Sequence, residues 1–291
     1  DDHLIKDDLL INKVKISEIN SNLKTFINSN ATFIGIKDIL VVDDRLFISH
    51  TKIINKKKNC VNISIVSAKL ENLQNNNLSF EKFFSYKDCL IARYGGYQAG
   101  GRMIEYDNKI ILTTGDFQNF DPAQSPDRNF GKILSIDLLT QEKKIISMGH
   151  RNPQGLAKIP NDNKLISTEH GPKGGDEVNF INLNYTKIPN YGWPISSYGD
   201  YYGYESFEER EKAPLNKSHK DYGFIEPIVT FTPSIGISQI IKDHFQNENN
   251  NDYIVSSLKA KTLFFIEFSK DLMSYKITDE LILGERIRDI I

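Results

Sequence analysis

The sequence contains two cysteines, one tryptophan and no long apolar run, and its charged residues almost cancel. Two cysteines are too few for a small disulfide-rich scaffold, and no group of Cys and His residues has the spacing of a zinc site. A formal net charge of -2 gives no basic footprint, which excludes nucleic acid as a partner. No apolar stretch approaches the roughly 20 residues of a spanning helix, so no membrane span is expected.

The cysteines, Cys60 and Cys89, leave two interpretations open. They would form one disulfide in an oxidising compartment, whereas two isolated thiols are also common as buried or unpaired residues. The sequence favours the unpaired state. The chain opens with Asp1, Asp2 and His3 and has no basic and apolar leader. A processed mature chain and a trimmed segment are both expected to begin in this way.

Short strand-like runs separated by turn residues dominate the 291 residues and predict an all-β fold. Hairpins are predicted at residues 39–49, 102–114, 131–148 and 156–168, and single strands at 61–70, 178–183, 228–231, 253–256, 262–268 and 281–283. Residues 9–26 form one candidate helix, and no helix is expected after residue 30. Residues 195–224 read as a long surface loop, and loops of that length are usually functional or mobile. Because the hairpins do not repeat at one period, a sandwich, a barrel and a propeller all stay open.

Three polar, glycine-rich blocks between residues 149 and 194 are the most distinctive feature of the sequence. They read Gly-His-Arg-Asn-Pro-Gln-Gly-Leu-Ala at 149–157, Glu-His-Gly-Pro-Lys-Gly-Gly-Asp-Glu-Val-Asn at 169–179 and Asn-Tyr-Gly-Trp-Pro at 190–194. The first two flank the hairpin that turns at residues 160–163, so both lie at its open end. Exposed backbone carbonyls beside fixed charges suit an anionic ligand together with a hard cation such as Ca²⁺.

This combination resembles the glucose/sorbosone dehydrogenase family, the soluble PQQ-dependent aldose sugar dehydrogenases. Residues 100–103 (Gly-Gly-Arg-Met), 113–116 (Thr-Thr-Gly-Asp), 257–259 (Ser-Leu-Lys) and 284–289 (Gly-Glu-Arg-Ile-Arg-Asp) are similar to further family motifs. The resemblance implies a six-bladed β-propeller with its site at the mouth of the central channel. The chain is short for six blades, so an incomplete blade or a segment of a longer protein is expected. We expect residues 1–30 to be an N-terminal extension and residues 31–291 to be the propeller domain.

The resemblance also implies a set of ligand contacts. PQQ carries three carboxylates and an ortho-quinone, and arginine matches a carboxylate bidentately. The positions that correspond to the family's PQQ contacts are Arg151, Asn152, Lys259, Arg286 and Arg288. Any one isolated cation is more often a solvated surface residue, but four cations in family motifs favour binding. On a strand, residues 286 and 288 would share one face.

Gly171 and Pro172 correspond to the residues whose backbone carbonyls hold the family's catalytic Ca²⁺. A plain turn is the alternative, because Gly-Pro is a turn dipeptide. Arg151 corresponds to the arginine that contacts the reactive quinone carbonyl, where it would stabilise the negative charge that develops as hydride arrives.

Gln98 is a departure from the family pattern, which has the general-base histidine at this position. An amide cannot accept a proton at neutral pH, whereas an imidazole can. Asp116 corresponds to the carboxylate that orients the missing histidine. His150 and His170 lie in neighbouring blocks, and each is either a substitute base or a hydrogen-bonded loop residue.

Three other residues of the blocks have open roles. The adjacent carboxylates Asp176 and Glu177 either support a site or staple their loop, and the structural role is favoured. Trp193 either stacks on a sugar ring or packs the loop, and the sequence does not separate the two.

Three functions are consistent with these residues. The first is a PQQ- and Ca²⁺-dependent quinoprotein that oxidises an aldose or a related sugar alcohol group and passes electrons to an external acceptor. The second is a non-catalytic propeller that keeps the site for PQQ and Ca²⁺ but binds a sugar or a partner, which Gln98 favours. The third is a Ca²⁺-dependent lactonase-type hydrolase, which the set of cations fits poorly. The resemblance implies a periplasmic or secreted location.

Overall fold

The computed structural model of the protein describes residues 19–27, 35–91, 96–245 and 250–291. These residues confirm the predicted all-β class, with few and short helices. Two short strands, β1 (Asn20–Ser21) and β5 (Asn77–Leu78), pair in parallel, and the other strands form four antiparallel sheets. Among the described residues, no helix is long and apolar enough to cross a membrane.

The four sheets follow one another along the chain, and in each the strands are arranged in chain order. The first contains β2 (Ile36–Val42), β3 (Arg45–Asn55), β4 (Cys60–Lys69) and β6 (Glu81–Phe84), with β7 (Leu90–Ile91) also paired to β4. The second contains β8 (Gly100–Tyr106), β9 (Lys109–Thr114), β10 (Lys132–Asp137) and β11 (Lys143–Met148). The third contains β12 (Pro153–Lys158), β13 (Lys164–Glu169), β14 (Asp176–Asn182) and β15 (Val229–Phe231). The fourth contains β16 (Ile237–Lys242), β17 (Asn251–Ser257), β18 (Thr262–Phe268) and β19 (Tyr275–Ile282).

Two-residue turns set the register of the hairpins, as the sequence predicts. Val42 pairs with Arg45, and Tyr106 pairs with Lys109, so two residues connect each pair of strands. Asp107 and Asn108 have φ values of 51° and 57°, the left-handed conformation that two-residue hairpin turns require. Asp and Asn tolerate this conformation better than most residues, which explains why the chain reverses here.

The sheets lie side by side like the blades of a β-propeller. The first strand of each sheet contacts the first strand of the next, in the order β2, β8, β12 and β16. Apolar side chains fill the spaces between sheets, for example Phe47 with Leu112 between the first two and Ile166 with Val255 between the last two. Strands such as β4 are therefore buried along most of their length. The described residues hold four such sheets, so the expected number of six blades is not shown.

Several local predictions were wrong. Strand β16, most of β19 and the 3-10 helix Leu70–Asn75 that follows β4 were not expected. The expectation of no helix after residue 30 also failed for α1 (Asp121–Gln124) and α2 (Phe207–Lys212). Helix α2 forms inside the predicted loop because Ser206 and Glu209 make a reciprocal capping box. Residues 9–18 of the candidate helix lie outside the described residues, and residues 19–26 hold β1 and a 3-10 turn.

The two cysteines are paired, which corrects the preference for unpaired thiols. Cys60 begins β4, and Cys89 immediately precedes β7. Cys60 pairs with Ile91 in the sheet, which brings the Cα atoms of the two cysteines to 5.5 Å. This separation lies within the range that a disulfide needs. Sheet pairing between residues far apart in sequence, which spacing alone does not reveal, therefore decides the bond.

Candidate active site

The candidate site residues come from one edge of the sheets. The first strands of the second and third sheets, β8 and β12, are called inner strands here because they contact the first strands of the adjacent sheets. They begin at this edge, and their antiparallel partners β9 and β13 end there. Gln98 and Arg151 therefore precede the inner strands β8 and β12, while Asp116 and Gly171 follow their partners β9 and β13. The alternation of strand direction thus brings the loops of the separate sequence motifs together.

Gln98 bridges Asp116 and Arg151. With its amide oriented by its neighbours, Gln98 Nε2 donates to Asp116 Oδ1 at 2.7 Å, and Gln98 Oε1 accepts from Arg151 Nη2 at 2.8 Å. The Asp116 backbone N–H also donates to the Arg151 carbonyl at 2.9 Å. Gln98 has a φ of 57°, which the surrounding contacts hold in the left-handed region. The three residues assigned a catalytic role from the sequence are therefore in direct contact.

Asp116 is fully buried among hydrogen-bond donors. Besides Gln98, its carboxylate accepts from the Gln118 backbone N–H at 2.7 Å and from Trp193 Nε1 at 2.8 Å. Burial raises the pKa of Asp116 to about 7, against the opposing effects of Arg151 and of these hydrogen bonds. Donors to the ionised form stabilise it, so Asp116 is an anion held by its neighbours above that pH.

Trp193 contacts two residues of the candidate site, Asp116 and Arg151, in addition to packing its loop. Its indole N–H fixes Asp116, and its ring lies 5.2 Å from the Arg151 guanidinium carbon. This distance is within the range of a cation–π interaction. Phe120 also contacts the indole edge to face, with ring centroids 5.8 Å apart. Trp193 therefore links the carboxylate and the guanidinium that flank Gln98.

Arg151 is anchored by its own loop partners. Its Nη1 donates to the carbonyls of His170 and Gly171, at 3.1 and 2.5 Å, and its backbone N–H donates to Glu169. The guanidinium is thereby held at the junction of the second and third sheets. A fixed cation of this kind needs no rearrangement to stabilise negative charge that forms beside it.

The two candidate replacement histidines have different surroundings. His150 is fully buried, joins Ser147 and Glu169 through its two ring nitrogens at 2.7 and 2.8 Å, and stacks on Tyr191. Both of its ring nitrogens are engaged inside the protein, and it lines neither cavity beside Gln98, which indicates a structural role. His170 retains exposure and lines the same large cavity as Gln98. His170 is therefore the better-placed imidazole of the two.

A cavity of about 700 Å³ opens beside Gln98 and carries a cluster of positive charge. Asn152, Arg286 and Arg288 line it, so three of the predicted ligand contacts converge there from distant parts of the sequence. Lys37 and Arg102 also line it, against one carboxylate, Asp289. Arg286 and Arg288 lie outside any strand, so the predicted strand at these residues was wrong, although both side chains reach the cavity.

Lys259 is not part of this cavity lining. It follows β17 and is exposed, whereas its neighbour Leu258 lines the cavity. Among the residues that it describes, the structure thus groups Asn152, Arg286 and Arg288 with Gln98 and leaves Lys259 apart. Arg151, also predicted as a PQQ contact, lines the neighbouring pockets and not this cavity.

The positively charged side chains that line the cavity repel one another. Burial, and next the charge of Arg288, lowers the pKa of Lys37 to about 8. The pKa of Arg288 also lies below its usual value, because of desolvation and of the neighbouring Arg286 and Arg102. Arg102 is compensated by Asp38 and Asp289, each 3.0 Å from its Nη1. A bound anion would relieve the remaining repulsion, so the cavity fits a ligand with several carboxylates.

The predicted calcium ligands fit a metal less well. The Gly171 carbonyl already accepts from Arg151 Nη1, so a positive group faces it. Pro172 lines a neighbouring pocket, and Asp176 is engaged by the Gly171 backbone N–H, Ser234 and the Ile237 backbone N–H. Within the described part of the chain, no group of three His, Cys, Asp or Glu residues is arranged to hold a metal. These residues do not complete a calcium site, and the contacts of Asp176 agree with its predicted structural role.

Two lysines that contribute to the cavity or to the support of the site, Lys37 and Lys132, were not predicted from the sequence. Lys37, on the inner strand of the first sheet, lies outside every family motif, and no sequence signal indicates that it faces the cavity. Lys132 is fully buried and donates to the carbonyls of Pro122, Ala123 and Phe130 at 2.7 to 2.9 Å. It fixes the loop that follows Asp116, and its position directly after Gly131 is the only hint in the sequence.

Known proteins are similar to this chain in sequence and in fold. Aldose sugar dehydrogenase YliI of Escherichia coli (strain K12) is 30% identical over 216 residues, which cover 67% of this chain and 54% of that protein. The structure of the soluble aldose sugar dehydrogenase from Escherichia coli in the apo-form superposes with a TM-score of 0.72, at 22% identity over 90% of this chain and 77% of that one. The PQQ-bound aldose sugar dehydrogenase from Streptomyces coelicolor superposes with a TM-score of 0.61, at 20% identity over 89% and 71%.

The extent of these matches differs between the chain and its relatives. The chain spans about half the length, or less, of the curated relatives it matches. A family model described as Glucose / Sorbosone dehydrogenase matches residues 34–291, which is most of the chain. The chain therefore belongs to the glucose/sorbosone dehydrogenase family.

Proposed function

We propose that this chain carries a PQQ site and oxidises an aldose or a related sugar alcohol group. The observation that carries the proposal is the cationic cavity beside Gln98, in which Asn152, Arg286 and Arg288 converge. The sugar and an external electron acceptor are the partners that this activity needs. In this proposal residues 31–291 form the propeller domain, with the six-bladed architecture of the family.

PQQ, when bound, would supply a quinone that accepts hydride from the sugar carbon. Arg286 and Arg288 would hold its carboxylates, and Asn152 would add a neutral contact. Arg151 would stabilise the developing negative charge from its fixed position over Trp193. Lys259 is included as a PQQ contact only because the family resemblance implies it. Its side chain is exposed and lies outside the cavity lining.

Calcium is likewise included only because the family resemblance implies it, with the backbone carbonyls of Gly171 and Pro172 as its proposed ligands. Because the Gly171 carbonyl is engaged by Arg151, we expect no binding of Ca²⁺ by the protein alone. Any calcium requirement should therefore be seen only together with PQQ, whose own oxygens would add ligands.

The proposed reaction also requires a base that removes the sugar hydroxyl proton. Gln98 cannot take a proton, and Asp116 is fully buried behind it. His170 is the imidazole that lines the cavity, so it is the proposed substitute. A non-catalytic sugar-binding propeller is the second candidate, and the bridge of Gln98 between Asp116 and Arg151 favours it, because that bridge satisfies both charges without a base.

The disulfide supports a location outside the reducing cytoplasm. Stable disulfides persist in secreted and periplasmic proteins and are rare in the cytosol of mesophiles. A periplasmic or secreted protein is therefore proposed.

Thermal unfolding tests the proposal. A ligand that binds only the folded state raises the melting temperature by mass action, so PQQ with Ca²⁺ should raise it and a chelator should reduce the shift. Dye reduction over a panel of aldoses then separates the enzyme from the binding module. No shift at saturating PQQ with Ca²⁺ would rule out both PQQ-based functions and favour the hydrolase.

A further inference from the structure

Lys37 is the additional residue of a β-bulge in β2, the first strand of the first sheet. Ile36 pairs with His50 and Asp38 pairs with Ser49, so two steps along β2 correspond to one step along β3. A bulge changes the direction of a side chain relative to the regular alternation, and bulges are common beside functional sites. Here the bulged residue lines the cationic cavity.

Bulges recur near the start of the first strand in the other three sheets. The register shifts at residues 100–103 of β8, 153–155 of β12 and 237–240 of β16. Arg102 and Gln154, which lie within two of these bulges, line the same cavity. The bulge in β2 thus belongs to a feature that the sheets share and that directs polar side chains to the cavity.

The backbone of β8 leaves room for the Lys37 side chain. Gly101 has a φ of 107°, and a Cβ atom at this position would overlap Cβ and Cγ of Lys37. Glycine is therefore required for this close approach. The neighbouring Asp38 carboxylate accepts from Arg102 Nη1 at 3.0 Å and from the Met103 backbone N–H at 2.6 Å, which joins β2 to β8. The stem of Lys37 is thus packed at a fixed place between the first two sheets.

Positive charge exceeds negative charge around Lys37. In the described part of the chain, three arginines and one carboxylate line the cavity with it: Arg102, Arg286, Arg288 and Asp289. The carboxylate is bonded to one of these arginines, Arg102. Burial, and next the charge of Arg288, lowers the pKa of Lys37 to about 8, so in the unliganded protein its ammonium group loses its proton between pH 7 and pH 9.

We infer that Lys37 is a further carboxylate contact of the cationic cavity and gains a proton from the solvent when a polycarboxylate binds. This inference rests on the proposed function for the class of ligand, and it adds a contact from the first sheet. A carboxylate beside Lys37 favours the charged form, so its pKa rises towards the ordinary 10.5. Binding should then take up about 0.7 proton at pH 8.5 and only about 0.1 proton at pH 7.

Other charged and titratable groups surround Lys37 on several elements. Asp38 follows it on β2, and His50 lies opposite Ile36 on β3. Burial lowers the pKa of His50, so this imidazole is uncharged in the alkaline range. The groups that share the cavity are Tyr97, Arg102, His170, Arg286, Arg288 and Asp289. All of them remain when Lys37 alone is replaced, so the difference between parent and variant isolates Lys37.

Calorimetric titration with citrate tests the inference, because citrate carries three carboxylates, as PQQ does. Titrations at pH 8.5 in two buffers of different ionisation enthalpy give the number of protons taken up, and we expect about 0.7 for the parent. From pH 7 to pH 9 the affinity should fall about tenfold more in the parent than in Lys37→Met.

Two variants that keep the stem of the side chain separate charge from packing. Lys37→Met should bind about tenfold more weakly than the parent at pH 7 and take up no proton. Lys37→Arg stays charged throughout, so it should bind as the parent does at pH 7, lose none of this affinity at pH 9 and take up no proton.

Lys276→Met is the matched control, because Lys276 is an exposed strand lysine outside the cavity lining, and it should behave like the parent. Equal proton uptake in the parent and in Lys37→Met, no uptake in the parent, or no binding of either citrate or PQQ would each overturn the inference. The same titrations with PQQ separate it from the proposed function. Proton uptake with citrate but no binding of PQQ would support Lys37 as a carboxylate contact and contradict the PQQ site.

Discussion

Gln98 Nε2 donates to Asp116 Oδ1 at 2.7 Å, at a position where the family resemblance implies a histidine beside an orienting carboxylate. The Asp116 carboxylate is therefore directed at residue 98. The amide occupies the position of the base but uses both of its polar atoms to join Asp116 to Arg151. No group that accepts a proton at neutral pH stands at this position.

Gln98→His should restore a base beside its orienter. The side chains are similar in size, and Asp116 would hold the imidazole as it now holds the amide. We expect the PQQ-loaded variant to reduce dye with an aldose faster than the parent, by up to about 10²–10⁴-fold. The measurement is kcat for the two proteins under identical loading with PQQ and Ca²⁺.

The control for this prediction adds Asp116→Asn to Gln98→His, which should remove the gain by misorienting the ring. A parent that is already as fast as the histidine variant would show that another base, such as His170, acts. A variant that binds PQQ and remains inactive would favour the non-catalytic module.

Arg288→Gln should weaken PQQ binding, because Arg288 lines the cationic cavity. A hydrogen bond to a charged group contributes about 1.5–3 kcal/mol, so affinity should fall roughly 10- to 100-fold. Lys270→Gln is the matched control and should have little effect, since Lys270 is exposed, lies outside the lining and is not one of the proposed PQQ contacts. Titration calorimetry with PQQ measures both. An equal loss in the two variants would contradict the assignment of the binding cavity.

Asp116→Asn should change how stability depends on pH. The pKa of Asp116 is raised by burial from 3.8 to about 7, so the folded state keeps this proton to higher pH than the unfolded state does. The stability that this group contributes is full below about pH 4 and is lost as the pH rises through about 7. Relative to the variant, the parent should lose up to about 4 kcal/mol between pH 4 and pH 8.

Urea unfolding of both proteins across this range checks the prediction. Because other groups titrate in the same way in both proteins, the difference between the two curves isolates Asp116. Parallel curves would mean that the carboxyl titrates alike in the folded and unfolded states.

Cys60→Ser combined with Cys89→Ser should lower the free energy of unfolding. The disulfide joins residues 29 positions apart and ties β7 and its preceding loop to β4. A loop of this length corresponds to a loss of about 3–4 kcal/mol, chiefly because the unlinked unfolded chain has more freedom. Urea unfolding of the oxidised parent and the double variant measures this loss. Equal stabilities would show that the bond constrains little.

Much of the candidate site could be predicted because its motifs are local. The hairpins at Asp107 and Asn108 and at residues 156–168 follow from turn residues between apolar runs, which the chain decides over a few positions. The positions of Gln98, Asp116 and Arg151 in family motifs also predicted that the three would lie together, and the structure places them in contact.

Other elements gave no local signal. Strand β16 contains the buried polar residues Ser238 and Gln239, which hide the alternation typical of a strand. The Ser238 hydroxyl donates to the Arg288 carbonyl, and the Gln239 side chain accepts from the Leu156 backbone N–H of β12. Strand β19 is an exposed edge of its sheet, where few apolar residues are required.

The sequence by itself determined the all-β class, the hairpins and the residue types of the candidate site. Tertiary structure alone decided that Cys60 meets Cys89, that Lys37 and Arg288 face one cavity while Lys259 does not, and that Gln98 joins two opposite charges. The physical reason is the range of the interactions. Turn conformation depends on a few adjacent residues, whereas a cavity, a disulfide and a buried polar bridge depend on how sheets distant in sequence pack against each other.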